Sequence, residues 1–199
     1  MSVMTQTVRD HVTTAILDAA AAVIAEHGEA ASMADVAEAA GIGRATLYRY
    51  FANRDDLLRA LTRAAIEDAS ARVAAADLEA VPVPEALARL SRALVACGTK
   101  FAVILEKPLV IDEEVERGIG DPVRALLRRG MTDGTLRSDL PVEALAQLWG
   151  GLLQAAIQWA SQLDGGVERT SAAMNSVFLD GAQSRPTGGA TRERRRSSE

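Results

Sequence analysis

Four arginines recur at five-residue intervals, Arg44, Arg49, Arg54 and Arg59, in a chain whose net charge is −5. A planar guanidinium carries forked N–H donors that match O6 and N7 of guanine in the major groove, or the oxygens of a phosphate. Thr46, Tyr48 and Tyr50 are interleaved with them. Their hydroxyls suit phosphate oxygens, which fix register without reading sequence. A basic row by itself is more often a solvated face. The weight therefore rests on the elements that would hold these side chains.

Those elements lie in Ser32 to Leu58, SMADVAEAAGIGRATLYRYFANRDDLL. Ser32 is an N-cap with Asp35 three residues on as capping-box partner. Val36 and Ala37 face inward, and Ala37 is small because another helix passes close to it. Gly41 makes the turn, where a side chain would oppose a positive φ. Ile42 fills the gap between the two helices. From about Arg44 to Phe51 a second helix follows, with Leu47 and Phe51 at i and i+4 on its core side. That leaves Arg44, Ala45, Thr46, Tyr48, Arg49 and Tyr50 for solvent or a partner. Asn53 caps another helix with Asp56 at its N3 position. Arg54 at its start joins a charge to orphan backbone N–H groups, a place for a phosphate. The pattern predicts a helix-turn-helix that enters a DNA groove.

Around it the chain reads as helix throughout. Met1 to about Asp10 lacks periodicity and is expected to fray. From about Val12, Ile16, Ala19, Ala20, Val23, Ile24 and His27 form one face, ended by Gly28. His27, in the last turn, suits a capping or packing role better than a ligand role. The fourth helix runs to about Ala76, and Val81-Pro82-Val83-Pro84 breaks it, with Pro84 at a first helical position. Leu87, Leu90, Leu94, Cys97, Phe101 and Ile104 predict one buried helix ended by Pro108. Asp112 to Gly120 is acidic and reads as a single helical passage. Asp121-Pro122 restarts the chain as N-cap and N1 of a helix closed by Gly134. Further helices cover Pro141 to about Gln162 and about Val167 to Leu179. Beyond Gly181 lies a disordered tail, whose Arg192, Arg194, Arg195 and Arg196 serve either DNA attraction or solubility.

Composition agrees. Of the 199 residues 48% are apolar and 4% aromatic, and alanine and leucine dominate without sustained alternation, so the class is all-α. The acidic balance supplies no global attraction for nucleic acid, so any contact must be a local basic cluster. Cys97 is the only cysteine, which excludes an intramolecular disulfide, and with only His11 and His27 beside it no zinc site can form. No metal or cofactor is expected. No leader pattern opens the chain and no apolar run is long enough to span a bilayer, so a cytoplasmic protein without membrane contact is the expectation. An enzyme using Cys97 as nucleophile is the competing class. It lacks a recognisable histidine partner, and an apolar stripe would raise the thiol pKa.

Residues 12–61 resemble the DNA-binding domain of TetR-family transcriptional regulators, and AGIGRATLYRYFANRDDLL is close to that family's signature. Gly134 to Ala156, GTLRSDLPVEALAQLWGGLLQAA, resembles its penultimate helix and lead-in. The resemblance implies an N-terminal three-helix DNA-binding domain at 11–60. A long helix joins it to an effector-binding and dimerisation domain at 61–180, with residues 1–10 and 181–199 disordered. It also implies a homodimer on a palindromic operator in double-stranded DNA, repressing until a small molecule binds. Carried over by position, Arg44 and Arg49 read bases, while Ser32, Thr46, Tyr48, Tyr50 and Arg54 contact phosphates. Gly43 departs from the family's usual serine. As an N-cap it is weaker by a few tenths of a kcal/mol, and any phosphate contact there must use its backbone N–H.

The family's last two helices pair as a four-helix bundle. Gly150 and Gly151 sit mid-helix, where each costs roughly 0.8–1 kcal/mol against alanine, so a close helix crossing is expected. With Leu145, Leu152, Ala156 and Phe178 they make a symmetric seam; the alternative is a tight crossing within one chain. A dimer would set two recognition helices about 34–36 Å apart. Candidate effector-lining residues are Cys97, Phe101, Met131, Trp149 and Trp159, with Gln154 and Gln158 as orienting groups and core packing as the competing role. They favour an apolar or aromatic effector. The acidic run Asp112 to Glu116 would attract a cation or form a solvated face. The alternative function is a helical regulator that works through protein partners or without a small-molecule ligand.

Overall fold

A computed structural model of the chain describes residues 2–98, 113–160 and 166–182, with side chains from residue 9 onward. Helix α1 spans Ser2–His27. It therefore starts well before Val12: Met1 to Asp10 contains neither Gly nor Pro to stop a helix. Ile16, Leu17, Ala20, Ala21, Val23 and Ile24 are its buried face. His27 is exposed, 3.9 Å from Glu26, and lies outside the core. Gly28, at φ +56°, ends the helix.

Helices α2 (Met33–Ala39) and α3 (Arg44–Tyr50) are joined by Gly41 at φ +66°. Helix α4 (Arg54–Ala75) opens on Asn53, whose side-chain oxygen accepts the Asp56 N–H at 2.8 Å. Two separate hydrophobic clusters meet along α4. Leu57 and Leu61 belong to the cluster of α1–α3, whereas Ala65, Ile66, Ala69 and Val73 belong to the cluster of everything that follows.

Helix α5 (Val83–Val95) starts on Pro82, one residue earlier than expected, so Pro84 is its second residue. It also ends early. The single helix expected to reach Pro108 stops at Val95, and Gly98 adopts φ +61°, the left-handed conformation that terminates helices. Phe101 and Ile104 lie outside the described residues.

An α turn at Glu113–Val115 passes through a π turn at Glu116–Gly120 into α6 (Asp121–Thr132). Asp121 is thus not an N-cap: at φ −62°, ψ −47° it is already helical. Pro122 explains the π turn. It has no N–H and its ring would strike the carbonyl of residue 118 in a regular α turn, so the wider turn relieves both problems. Gly118 meanwhile lets α4 come close, since a Cβ there would sit 2.1 Å from Ser70 Oγ. Gly130 is pinned in the same way: a Cβ there would sit 2.7 Å from Leu136 and 2.9 Å from Val83.

Helices α7 (Val142–Trp159) and α8 (Gly166–Ala182) pack on each other and on α5. A buried hydrogen bond of 2.9 Å from Ser91 to Asn175 joins α5 to α8. Arg137 fixes the end of α8 through its backbone N–H, which donates to the Ala182 carbonyl at 2.7 Å. No helix among the described residues is long and apolar enough to cross a membrane, and no group of side chains there could hold a metal ion.

Candidate nucleic-acid interface

Helix α3 is locked from behind. Leu47 is fully buried and Phe51 nearly so, both in the first cluster. Its N-terminus rests on Gly43 alone. That residue is extended (φ −70°, ψ 146°), its carbonyl accepts the Thr46 N–H at 2.9 Å, and no side chain caps the helix. An added Cβ at Gly43 meets nothing within 4 Å, so neither space nor backbone demands glycine there. The outward face carries Arg44, Ala45, Tyr48 and Arg49, all exposed, with Thr46 and Tyr50 half-buried at its flanks.

The row of four arginines divides in two. Arg44 and Arg49 have no carboxylate within ion-pair distance among the described residues. Arg59 is ion-paired with Asp56 on its own helix. Arg54 donates from Nε to the Ala31 carbonyl at 3.3 Å and so ties the start of α4 to the start of α2. Only its terminal nitrogens are left for a phosphate. Equal spacing in the sequence hides this difference, because it is decided by what each guanidinium finds across the fold.

Ser32 is more occupied than expected. Its hydroxyl donates to Asp35 Oδ2 at 2.7 Å and accepts the Asp35 N–H at 3.2 Å, while its own N–H donates to Asp35 Oδ2 at 2.9 Å. The capping box is complete, and the hydroxyl proton assigned to a phosphate is already used. The Ser32 hydroxyl and then its N–H hold the Asp35 carboxyl below the usual aspartate range. Sequence reasoning missed Arg9. From α1 its guanidinium carbon lies 5.9 Å from the centre of the Tyr50 ring, and that of Arg49 lies at the same distance.

Of the expected effector lining, Phe101 lies outside the described residues, and the other side chains differ in exposure. Trp149 is buried in the second cluster and Met131 packs against its edge. Cys97 is buried, with its thiol pushed up to about 11, first by burial and then by the Asp68 carboxylate, which leaves it a poor nucleophile. Gln154 is half-buried, but Gln158 is exposed and Trp159 is 59% exposed. Those last two point away from the interior, because the helical turn that buries Ala156 and Ile157 turns its neighbours outward. Among the described residues a groove of about 740 Å³ lies between α4, the loop after it and the π turn. Glu67, Asp77, Glu79 and Glu114 line it, against one guanidinium, Arg117, which is itself paired with Glu113 at 2.8 Å. The acidic run hinted at Glu114, but nothing local marks the α4 residues that face it.

The expected seam residues differ in exposure. Leu145, Ala156 and Phe178 are buried in the protomer's own core, because they are the inward positions of α7 and α8, and Leu152 is half-buried. Nothing lies within 4 Å of a Cβ placed at Gly150 or Gly151, so no crossing among the described residues requires them. The exposed apolar side chains on these helices are Leu148 at 58%, Trp159 and, on α8, Val177 at 61%.

Residues 16–61, the whole of the first cluster, match the family described as bacterial regulatory proteins, tetR family. The chain is also 35% identical over 156 residues to the HTH-type transcriptional repressor LfrR of Mycolicibacterium smegmatis, covering 76% of this chain and 80% of that protein. The chain belongs to the TetR family. The HTH-type transcriptional repressor KstR2 of Rhodococcus jostii is 28% identical over 187 residues, covering 86% and 91% of the two chains. Among solved structures, LfrR from Mycobacterium smegmatis in complex with proflavine superposes with a TM-score of 0.69 at 28% identity, over 87% of this chain and 97% of that one. As a TetR-family chain the protein is a transcriptional regulator that binds DNA, and not an enzyme.

Proposed function

We propose that this TetR-family protein is a sequence-specific repressor that binds a palindromic operator as a homodimer in the cytoplasm and leaves it when a small molecule binds. The observation that carries this reading is α3. Its core side is immobilised by Leu47 and Phe51, while Arg44 and Arg49 stand on the opposite face without ion-pair partners among the described residues. Arg44 and Arg49 read base edges. Thr46, Tyr48 and Tyr50 hold phosphates by their hydroxyls, Gly43 by its N–H, and Arg54 by its terminal nitrogens.

Selection of bound duplexes from a random library tests this directly. A two-fold repeat with half-sites about one helical turn apart supports the dimer. Arg44→Ala and Arg49→Ala should each remove about 1–3 kcal/mol of discrimination, roughly 5- to 150-fold, with the fold intact. Unchanged discrimination in both variants overturns the base-reading assignment.

The apolar stripe of Leu148 and Trp159 on α7, with Gly151 on the same open face, and Val177 on α8 is the surface we assign to dimerisation. The relatives named repressors support regulation by release, and LfrR is seen with proflavine. In this chain the groove beside α4 is rich in carboxylates, which favours an effector carrying positive charge over a purely apolar one. Helix α4 serves both clusters, so a ligand that favours one setting of it changes operator affinity, and the operator changes ligand affinity by the same factor.

A further inference from the structure

We propose that Arg9, on α1 and outside the helix-turn-helix, is a DNA phosphate contact that also clamps the end of the recognition helix through Tyr50. This rests on the regulator reading. Tyr50 is the last residue of α3, and the Arg9 and Arg49 guanidiniums both lie 5.9 Å from its ring centre. Each distance suits a cation over an aromatic ring. Two cations sharing one ring repel each other, and among the described residues neither has a carboxylate within ion-pair distance.

This arrangement differs from much of the remaining surface. Several arginines there meet carboxylates, as in Arg72 with Asp68 at 2.9 Å, Arg89 with Glu85 at 2.7 Å and Arg92 with Glu168 at 2.9 Å, although Arg63 on α4 is exposed without one among the described residues. In a chain of net charge −5 carboxylates are plentiful, yet among the described residues the recognition end leaves Arg9, Arg44 and Arg49 with none within ion-pair distance. An uncompensated cluster beside a groove-reading helix fits a polyanion that arrives from solution. Because Arg9 is on α1, a phosphate bound there would join α1 to α3 through Tyr50 and steady the frame in which Arg49 reads.

The test uses the full-length protein, the operator obtained by selection and a random duplex of equal length, with affinity measured across a salt series. Arg9→Gln should weaken both duplexes, the operator at least as much as the random one, and lower the magnitude of the slope of log K against log salt by about 0.9. The wild-type advantage should therefore shrink about eightfold for each tenfold rise in salt. Arg9→Lys, which keeps the charge, should restore the slope. An unchanged slope in Arg9→Gln, or a loss confined to the operator, overturns the phosphate assignment alone. A wild-type protein that binds neither duplex overturns the regulator reading and this assignment with it.

Discussion

The two halves of α4 sit in two kinds of structure. Around its first half, the elements of residues 16–61 are set by signals a few residues apart. The Ser32–Asp35 box, Gly41 at φ +66° and the Asn53 cap on Asp56 each act within one turn. Around its second half, the decisive contacts join residues far apart in the chain. Arg129 donates to the Val81 carbonyl at 2.9 Å, Gly130 sits under Leu136 and Val83, and Gly118 faces Ser70. Glycine shows the contrast best. Gly41 is required by its backbone angle and Gly43 by nothing steric, whereas Gly118 and Gly130 are required by a neighbour. A locally specified unit keeps its shape while its surface changes, which suits a DNA reader. A unit held by distant contacts responds as a whole when one of them moves, which suits a switch.

The strongest way to break this contrast is to open the first core alone. Leu47→Ala should cost about 2–5 kcal/mol, read as a lowered urea midpoint. Hydrogen exchange should then rise across residues 16–61 while α5 and α6 keep their protection. Equal loss in both regions would mean that α4 makes one cooperative unit of them. Next in size is Gly130→Ala, which forces a methyl against Leu136 and Val83 and should cost about 1–3 kcal/mol by thermal unfolding. A neutral result would show that the second core yields more easily than its contacts imply.

The smallest effect belongs to a single local cap. The folded-state pKa of Asp35 is depressed, first by the Ser32 hydroxyl, so its contribution is full above the unfolded value of about 4 and vanishes as pH falls through the folded one. Wild type should melt above Asp35→Asn at pH 7, and the gap should close on acidification towards pH 2. A gap that stays constant with pH would show that the carboxylate is not what stabilises the cap.

The same contrast explains what was legible. Helix α3, its buried Leu47 and Phe51 and its outward arginines could be read because helical periodicity converts spacing into facing. Three of the expected seam residues lie in the protomer's own core for a related reason. Leu145, Ala156 and Phe178 carry the apolar periodicity of their helices, but periodicity cannot distinguish a protomer's own core from a partner's surface. Apart from Glu114, the groove beside α4 left no local trace, since Glu67 and Asp77 look like any solvated face until the π turn comes to lie across from them.

The amino-acid sequence by itself determined the helices of the recognition unit, their caps and turn, and the residues on the outward face of α3, because those depend on contacts within about one helical turn. Tertiary structure alone decided which arginines remain unpaired, that Arg9 joins Tyr50 from another helix, and where a groove opens. Ion pairs, stacking and cavities depend on which distant segments meet, and that information is not carried in local spacing.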